Sequence, residues 1–155
     1  MPVGRCLSKN AIALSAITRL TEMGIEPFLV GSAIDCVLAQ RLARRLCKKC
    51  KESYVPTPQA LLAAHFPWQD GEPLPELFRP RGCSVCSKTG YKGRLALHEV
   101  MVVSEEIESL AVERASATVI GQVARRDGMI TLRADGLTKV GAGVTSLDEI
   151  LRVVV

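Results

Sequence analysis

The sequence predicts a mainly α protein with a short β-hairpin or strand element and a four-cysteine, zinc-clasped insertion. Three observations lead there. Helical apolar spacing recurs on both sides of a central stretch. That stretch is bounded by two cysteine pairs, Cys47-Lys48-Lys49-Cys50 and Cys83-Ser84-Val85-Cys86, and its latter half is rich in proline (Pro67, Pro73, Pro75, Pro80). With 155 residues, 48% of them apolar but only 4% aromatic, the chain makes one ordinary domain or two small pieces, with a core built from Leu, Val, Ile and Ala.

Taken in order, Ala11 to Met23 predicts a helix with Ile12, Ala13, Ala16, Ile17 and Leu20 on one face and Gly24 as its stop. Glu26-Pro27 predicts an extended turn, because the residue before proline avoids the helical region. A second helix is expected from about Ser32 to Leu46, with Ile34, Val37, Leu38 and Leu42 inward and Gln40, Arg41, Arg44 and Arg45 outward. Cys36 on it reads as a buried thiol serving as a small hydrophobe, whereas Cys6 receives no role. Thr57-Pro58 starts a short helix reaching about His65, with threonine as N-cap and proline at the first helical position. Gly90-Tyr91-Lys92-Gly93 is turn chemistry, and Arg94 to Val103 predicts a strand or hairpin arm. Helices follow from Ser104-Glu105-Glu106, over Ala117–Arg126 and over Thr131–Val140. Ser146-Leu147-Asp148-Glu149 has the form of a capping box opening the last one.

The cysteines carry the clearest chemistry. Two C-x-x-C steps separated by 32 residues give four thiolates to one tetrahedral ion, so Cys47, Cys50, Cys83 and Cys86 are the candidate metal ligands. Soft thiolates without histidine or carboxylate suit zinc best, and a closed four-sulfur shell points to a structural ion. A disulfide framework, two redox dithiols and a four-cysteine iron site are the other readings. Closing so long a loop couples metal binding to folding, which in small zinc peptides is worth ~10–16 kcal/mol.

Arg41, Arg44, Arg45, Lys48, Lys49 and Lys51 form a run without an acid. They offset the charge of a zinc–thiolate site and complement a helix C-terminus. The functional alternative is a surface for phosphate, of a nucleotide or of nucleic acid, at Arg41, Arg44 and Arg45. A net charge of +4 permits anionic partners without demanding them, and scarce aromatics argue against nucleic acid. Neither G-x-x-x-x-G-K-[ST] nor G-x-G-x-x-G occurs; Gly141-Ala142-Gly143 reads as a helix stop and His98-Glu99 as structural hydrogen bonding. No apolar run approaches the ~18 residues of a membrane span. Residues 1–10 lack the apolar centre of a signal peptide, so a cytoplasmic location is expected.

Several blocks together resemble the C-terminal part of the type II secretion and type IV pilus assembly ATPases. They are Ala16-Ile17-Thr18-Arg19-Leu20, Met23-Gly24-Ile25-Glu26-Pro27-Phe28 and Gln40-Arg41-Leu42-Ala43-Arg44-Arg45-Leu46-Cys47. The similarity continues through Gly82-Cys83, Cys86, Thr89-Gly90-Tyr91-Lys92-Gly93-Arg94 and His98-Glu99. It closes with Gly128-Met129, Asp135-Gly136-Leu137, Thr145-Ser146-Leu147 and Glu149. The resemblance implies a helical C-terminal subdomain of a hexameric motor, working with like subunits and an inner-membrane platform, cytoplasmic and peripheral to that membrane. It implies zinc on Cys47, Cys50, Cys83 and Cys86, with ATP and Mg bound only by the full-length family.

Two departures stand out. Leu7-Ser8-Lys9-Asn10-Ala11-Ile12 holds no histidine where the family's histidine box would fall, and Ala96 replaces a usual glycine. The expected organisation is an unmatched start at 1–13, a helical segment at 14–46, a zinc subdomain at 47–93 and a C-terminal strand with helices at 94–155. A C-terminal fragment of the motor, catalytically incompetent alone, is the leading expectation, with a truncated gene product or a cloned piece both compatible. A free-standing zinc module binding nucleic acid through residues 41–51 is the alternative.

Overall fold

The computed structural model describes residues 13–154. The helix expected over Ala11–Met23 is α1 (Leu14–Glu22), and its C-terminal turn closes at Gly24, which has φ +87°. The start of that expectation, Ile12 included, lies outside the described residues, as does Cys6. Glu26 is extended (φ −59°, ψ 129°), as its place before proline requires.

The second expected helix is corrected by the structure. Residues Pro27–Ala33 form α2, and Cys36–Leu46 form strand β1. Ala39 and Ala43 are buried while Leu38 and Leu42 are exposed, and Cys36 is exposed too, not a buried hydrophobe. A spacing of four places Ala39 and Ala43 on one side of a helix and equally on one side of a strand. Pairing with the long strand β4 (Tyr91–Val102) decides for the strand, although alanine and arginine favour helix. Arg41, Arg44 and Arg45 therefore sit on a strand.

The remaining helices lie close to their expected places, but β4 takes in Tyr91-Lys92-Gly93, expected as a turn, and a second two-stranded ribbon forms where irregular chain was expected. β2 (Glu52–Tyr54) pairs antiparallel with β3 (Leu77–Arg79), matching Glu52 to Arg79 and Tyr54 to Leu77. Between them α3 (Pro58–Ala64) is capped by Thr57, whose hydroxyl accepts from the Ala60 N–H, and it stops at His65 in the left-handed region. After β4 come α4 (Glu105–Val112), α5 (Ala117–Arg126), α6 (Leu132–Gly141) and α7 (Leu147–Val153). Among the described residues no helix is long and apolar enough to cross a membrane.

The chain divides into two compact units. Among the described residues one takes 13–39 and His98–Thr131; its core holds Ile17, Val30, Met101, Ile107 and Ile120. Buried Glu99 in this unit accepts the Ala13 N–H at 2.7 Å, whereas its neighbour His98 is exposed. The other unit comprises Gln40–Leu97 and Leu132–Val155 around Leu46, Leu61, Leu77, Leu97, Leu137, Val140 and Ile150. All four cysteines of the two pairs belong to this second unit.

Candidate metal centre

At the end of β1 the chain enters a turn in which Cys50 and Lys51 donate their N–H groups to the Cys47 carbonyl at 3.2 and 3.0 Å. Before β4, a single tight turn over Ser84–Cys86 does the same service for the other pair. One backbone bond joins the two arms: the Cys47 N–H donates to the Gly90 carbonyl at 2.9 Å. Gly90 has φ +76°, and a Cβ there would lie 2.3 Å from the Pro80 Cβ, so no other residue fits.

These arms collect the four sulfurs within 4.8 Å of one another. The separations are 3.9 Å for Cys47–Cys83, 3.7 Å for Cys50–Cys86 and 3.7 Å for Cys83–Cys86. A tetrahedron with metal–sulfur bonds of ~2.3 Å has edges of about 3.8 Å, so these thiols stand at ligand spacing. Backbone donors add to the fit, because Cys83 and Gly90 both direct N–H groups at the Cys86 sulfur from 3.2 Å. Burial acts to raise the Cys86 thiol, yet those two N–H groups, together with the Cys83 and Cys50 thiols, outweigh it and hold it down at about 6. Burial pushes the Cys50 thiol up to about 12, with its sulfur neighbours adding to the effect. A metal-free cluster thus resists losing all its protons, and a cation bound by four thiolates is what would remove them.

The surroundings are cationic and internally fastened. Lys51 donates to the Gly143 carbonyl at 2.9 Å and lies 3.9 Å over the Phe78 ring. Gly143 has φ +65°, and a Cβ there would press within 2.6 Å of Phe78. Sequence reasoning grouped Arg41, Arg44 and Arg45, but the structure separates their environments. Arg44 grips the fully buried Glu149 carboxylate, donating from its backbone at 2.9 Å and from its guanidinium at 2.6 Å. Its guanidinium also lies 4.1 Å over the Tyr91 ring. Arg45 is exposed and Arg41 half-buried.

Glu149 was legible only as a capping-box residue. Ser146 does cap α7, accepting the Glu149 N–H at 3.3 Å and sharing a 2.7 Å hydrogen bond with the Tyr91 hydroxyl. The carboxylate, however, is committed to Arg44 and, at 2.6 Å, to Arg152. Burial acts to raise its pKa, but the hydrogen bonds from Arg152 and Arg44 overcome it and hold the carboxyl down at about 2. A strand read as a helix hid this latch; the signal available was an acid inside an apolar helix start at Leu147 and Ile150.

A profile for type II/IV secretion system proteins matches residues 8–152. The type IV pilus assembly ATPase PilB of Thermus thermophilus is 47% identical over 139 residues, 90% of this chain and 16% of that protein. The type II secretion system protein E of Aeromonas hydrophila is 43% identical over 141 residues, 91% of this chain and 27% of that protein. The type II secretion system ATPase E of Vibrio cholerae is 41% identical, with 91% of this chain and 27% of that protein covered. The chain therefore spans between 16% and 27% of these relatives' length.

Proposed function

The chain belongs to the type II/IV secretion system protein family, and from that membership we propose that it is a structural, zinc-holding portion of an ATPase that drives secretion or pilus assembly. Cys47, Cys50, Cys83 and Cys86 hold the ion, and it serves folding, because four thiolates leave no position open for substrate water. Zinc is preferred to iron by the closed, purely structural setting. ATP hydrolysis belongs to the longer protein, within which this portion packs and offers contact surface in a hexamer at the inner membrane. Arg41 and Arg45 are the cations available for phosphate or subunit contact, since Arg44 is committed to Glu149.

The observation that carries the reading is the set of sulfur separations of 3.7–3.9 Å, which match the edges of a tetrahedral thiolate site. The nucleic-acid alternative loses support from the rings of Tyr54, Phe78 and Tyr91, each of which already has a cation, Arg79, Lys51 or Arg44, over it.

Substitution tests it. Cys83→Ser is expected to reduce bound zinc from one per chain to a small fraction and to unfold the 47–86 segment. Unchanged metal content and melting would rule the site out. In a full-length ATPase, Arg41→Glu with Arg45→Glu is expected to weaken assembly or turnover; an unaffected motor removes the contact role.

A further inference from the structure

The four thiols are not equivalent. Cys47 and Cys86 are 1% and 6% exposed, whereas Cys50 and Cys83 are half-buried. Those two line an open cleft of about 420 Å³, which Lys49, Lys51 and Arg81 also line. Its one carboxylate, Glu52, is paired with Arg79 at 3.3 Å. Lys51 is tethered to Gly143, while Lys49 and Arg81 are exposed. On the far side, Cys86 is covered and already accepts two backbone N–H groups. One edge of the sulfur tetrahedron, Cys50–Cys83, thus faces water through a positively charged mouth, and the opposite pair is sealed in.

We infer that the Cys50–Cys83 edge is an exchange port for small anionic metal-binding ligands, with Cys47 and Cys86 as the anchoring pair. This rests on the reading of the four cysteines as metal ligands. Two features make the port selective. Steric access confines an incoming donor or electrophile to Cys50 and Cys83, and the Lys49–Arg81 mouth raises the local concentration of anions over neutral reagents.

Iodoacetate and iodoacetamide, applied to the zinc-loaded chain, provide the test. In either reaction a cysteine sulfur bonds to the methylene carbon, the carbon–iodine bond breaks and iodide leaves with the electron pair. Peptide mass mapping reads the site, a chromogenic dye reads released zinc, and exposed Cys36 is the internal reference. Cys50 and Cys83 are expected to react at least about tenfold faster than Cys47 and Cys86, with zinc released at the first modification. Lys49→Glu with Arg81→Glu is expected to slow iodoacetate at the port several-fold while leaving iodoacetamide, and Cys36, unchanged. First labelling at Cys47 or Cys86, or uniform labelling of a chain that does hold zinc, overturns the port alone, as does a charge reversal that slows both reagents equally. A chain that binds no zinc, and whose four thiols react alike with and without added zinc, overturns the metal reading beneath it.

Discussion

Two stretches of the second unit are held together by different means. Between Cys50 and Cys83 the chain buries only Pro56, Leu61, Ala64 and Leu77. Over Leu132–Ile150 it buries Leu132, Leu137, Val140, Leu147 and Ile150, along with Thr145, Ser146 and Glu149. The second stretch has enough apolar side chains for ordinary packing, at roughly 1.5–3 kcal/mol for each large one fully buried. The first has one short helix, a two-stranded ribbon and irregular chain, too little to offset the ordering entropy of its backbone. On the proposed reading, its closure depends on a metal held by the four sulfurs at its base. Metal dependence should be local to it, and packing defects should show themselves in the other stretch.

Gly90→Ala strikes the junction where that contrast is sharpest, since Gly90 links the two cysteine arms. With a positive φ and a 2.3 Å clash against Pro80, it is expected to cost roughly 3 kcal/mol or more and to lower zinc affinity. A variant that melts normally and keeps its zinc would mean that the arms do not need this approach.

Glu149→Gln probes the other stretch. Losing charge-assisted bonds to two half-exposed arginines is expected to cost about 2–3 kcal/mol, with zinc content unchanged. Acid provides the same test without mutation. Because the folded-state pKa of Glu149 is depressed, its contribution is fully present above about 4.5 and is lost as pH falls towards about 2. Melting measured over that window should fall more steeply for the wild-type chain than for Glu149→Gln; parallel profiles would remove the latch from the account.

Ser146→Ala carries the smallest expected effect. It removes the α7 cap and the partner of the Tyr91 hydroxyl, at about 1–2 kcal/mol. No change in melting would place the stability of α7 elsewhere.

The legible parts of this fold were those fixed by local chemistry. Thr57-Pro58 and Ser146 announce helix starts because a hydroxyl must meet an orphan N–H, and both do so. The span Ala117–Arg126 carries an uninterrupted helical period and is a helix with those bounds. The paired cysteines, too far apart in sequence for any local rule, were legible because ligand chemistry is itself a pairing rule. Illegible were the features decided across the chain. Cys36–Leu46 takes its conformation from pairing with β4, which outweighs its own propensity. α2 begins with Pro27 and contains Gly31, a poor helix residue; a Cβ there would lie 3.5 Å from Glu108 on α4. The Arg44–Glu149 bond joins residues 105 apart, and nothing in either neighbourhood names the other.

The most direct test of the central claim is amide hydrogen exchange on the chain with its zinc measured, before and after chelation. The account predicts one zinc per chain. On its removal, protection should collapse between Cys47 and Gly90 while the amides of α6 and α7 keep most of theirs. A chain that never holds zinc, or one whose 47–90 amides stay equally protected after chelation, would contradict it.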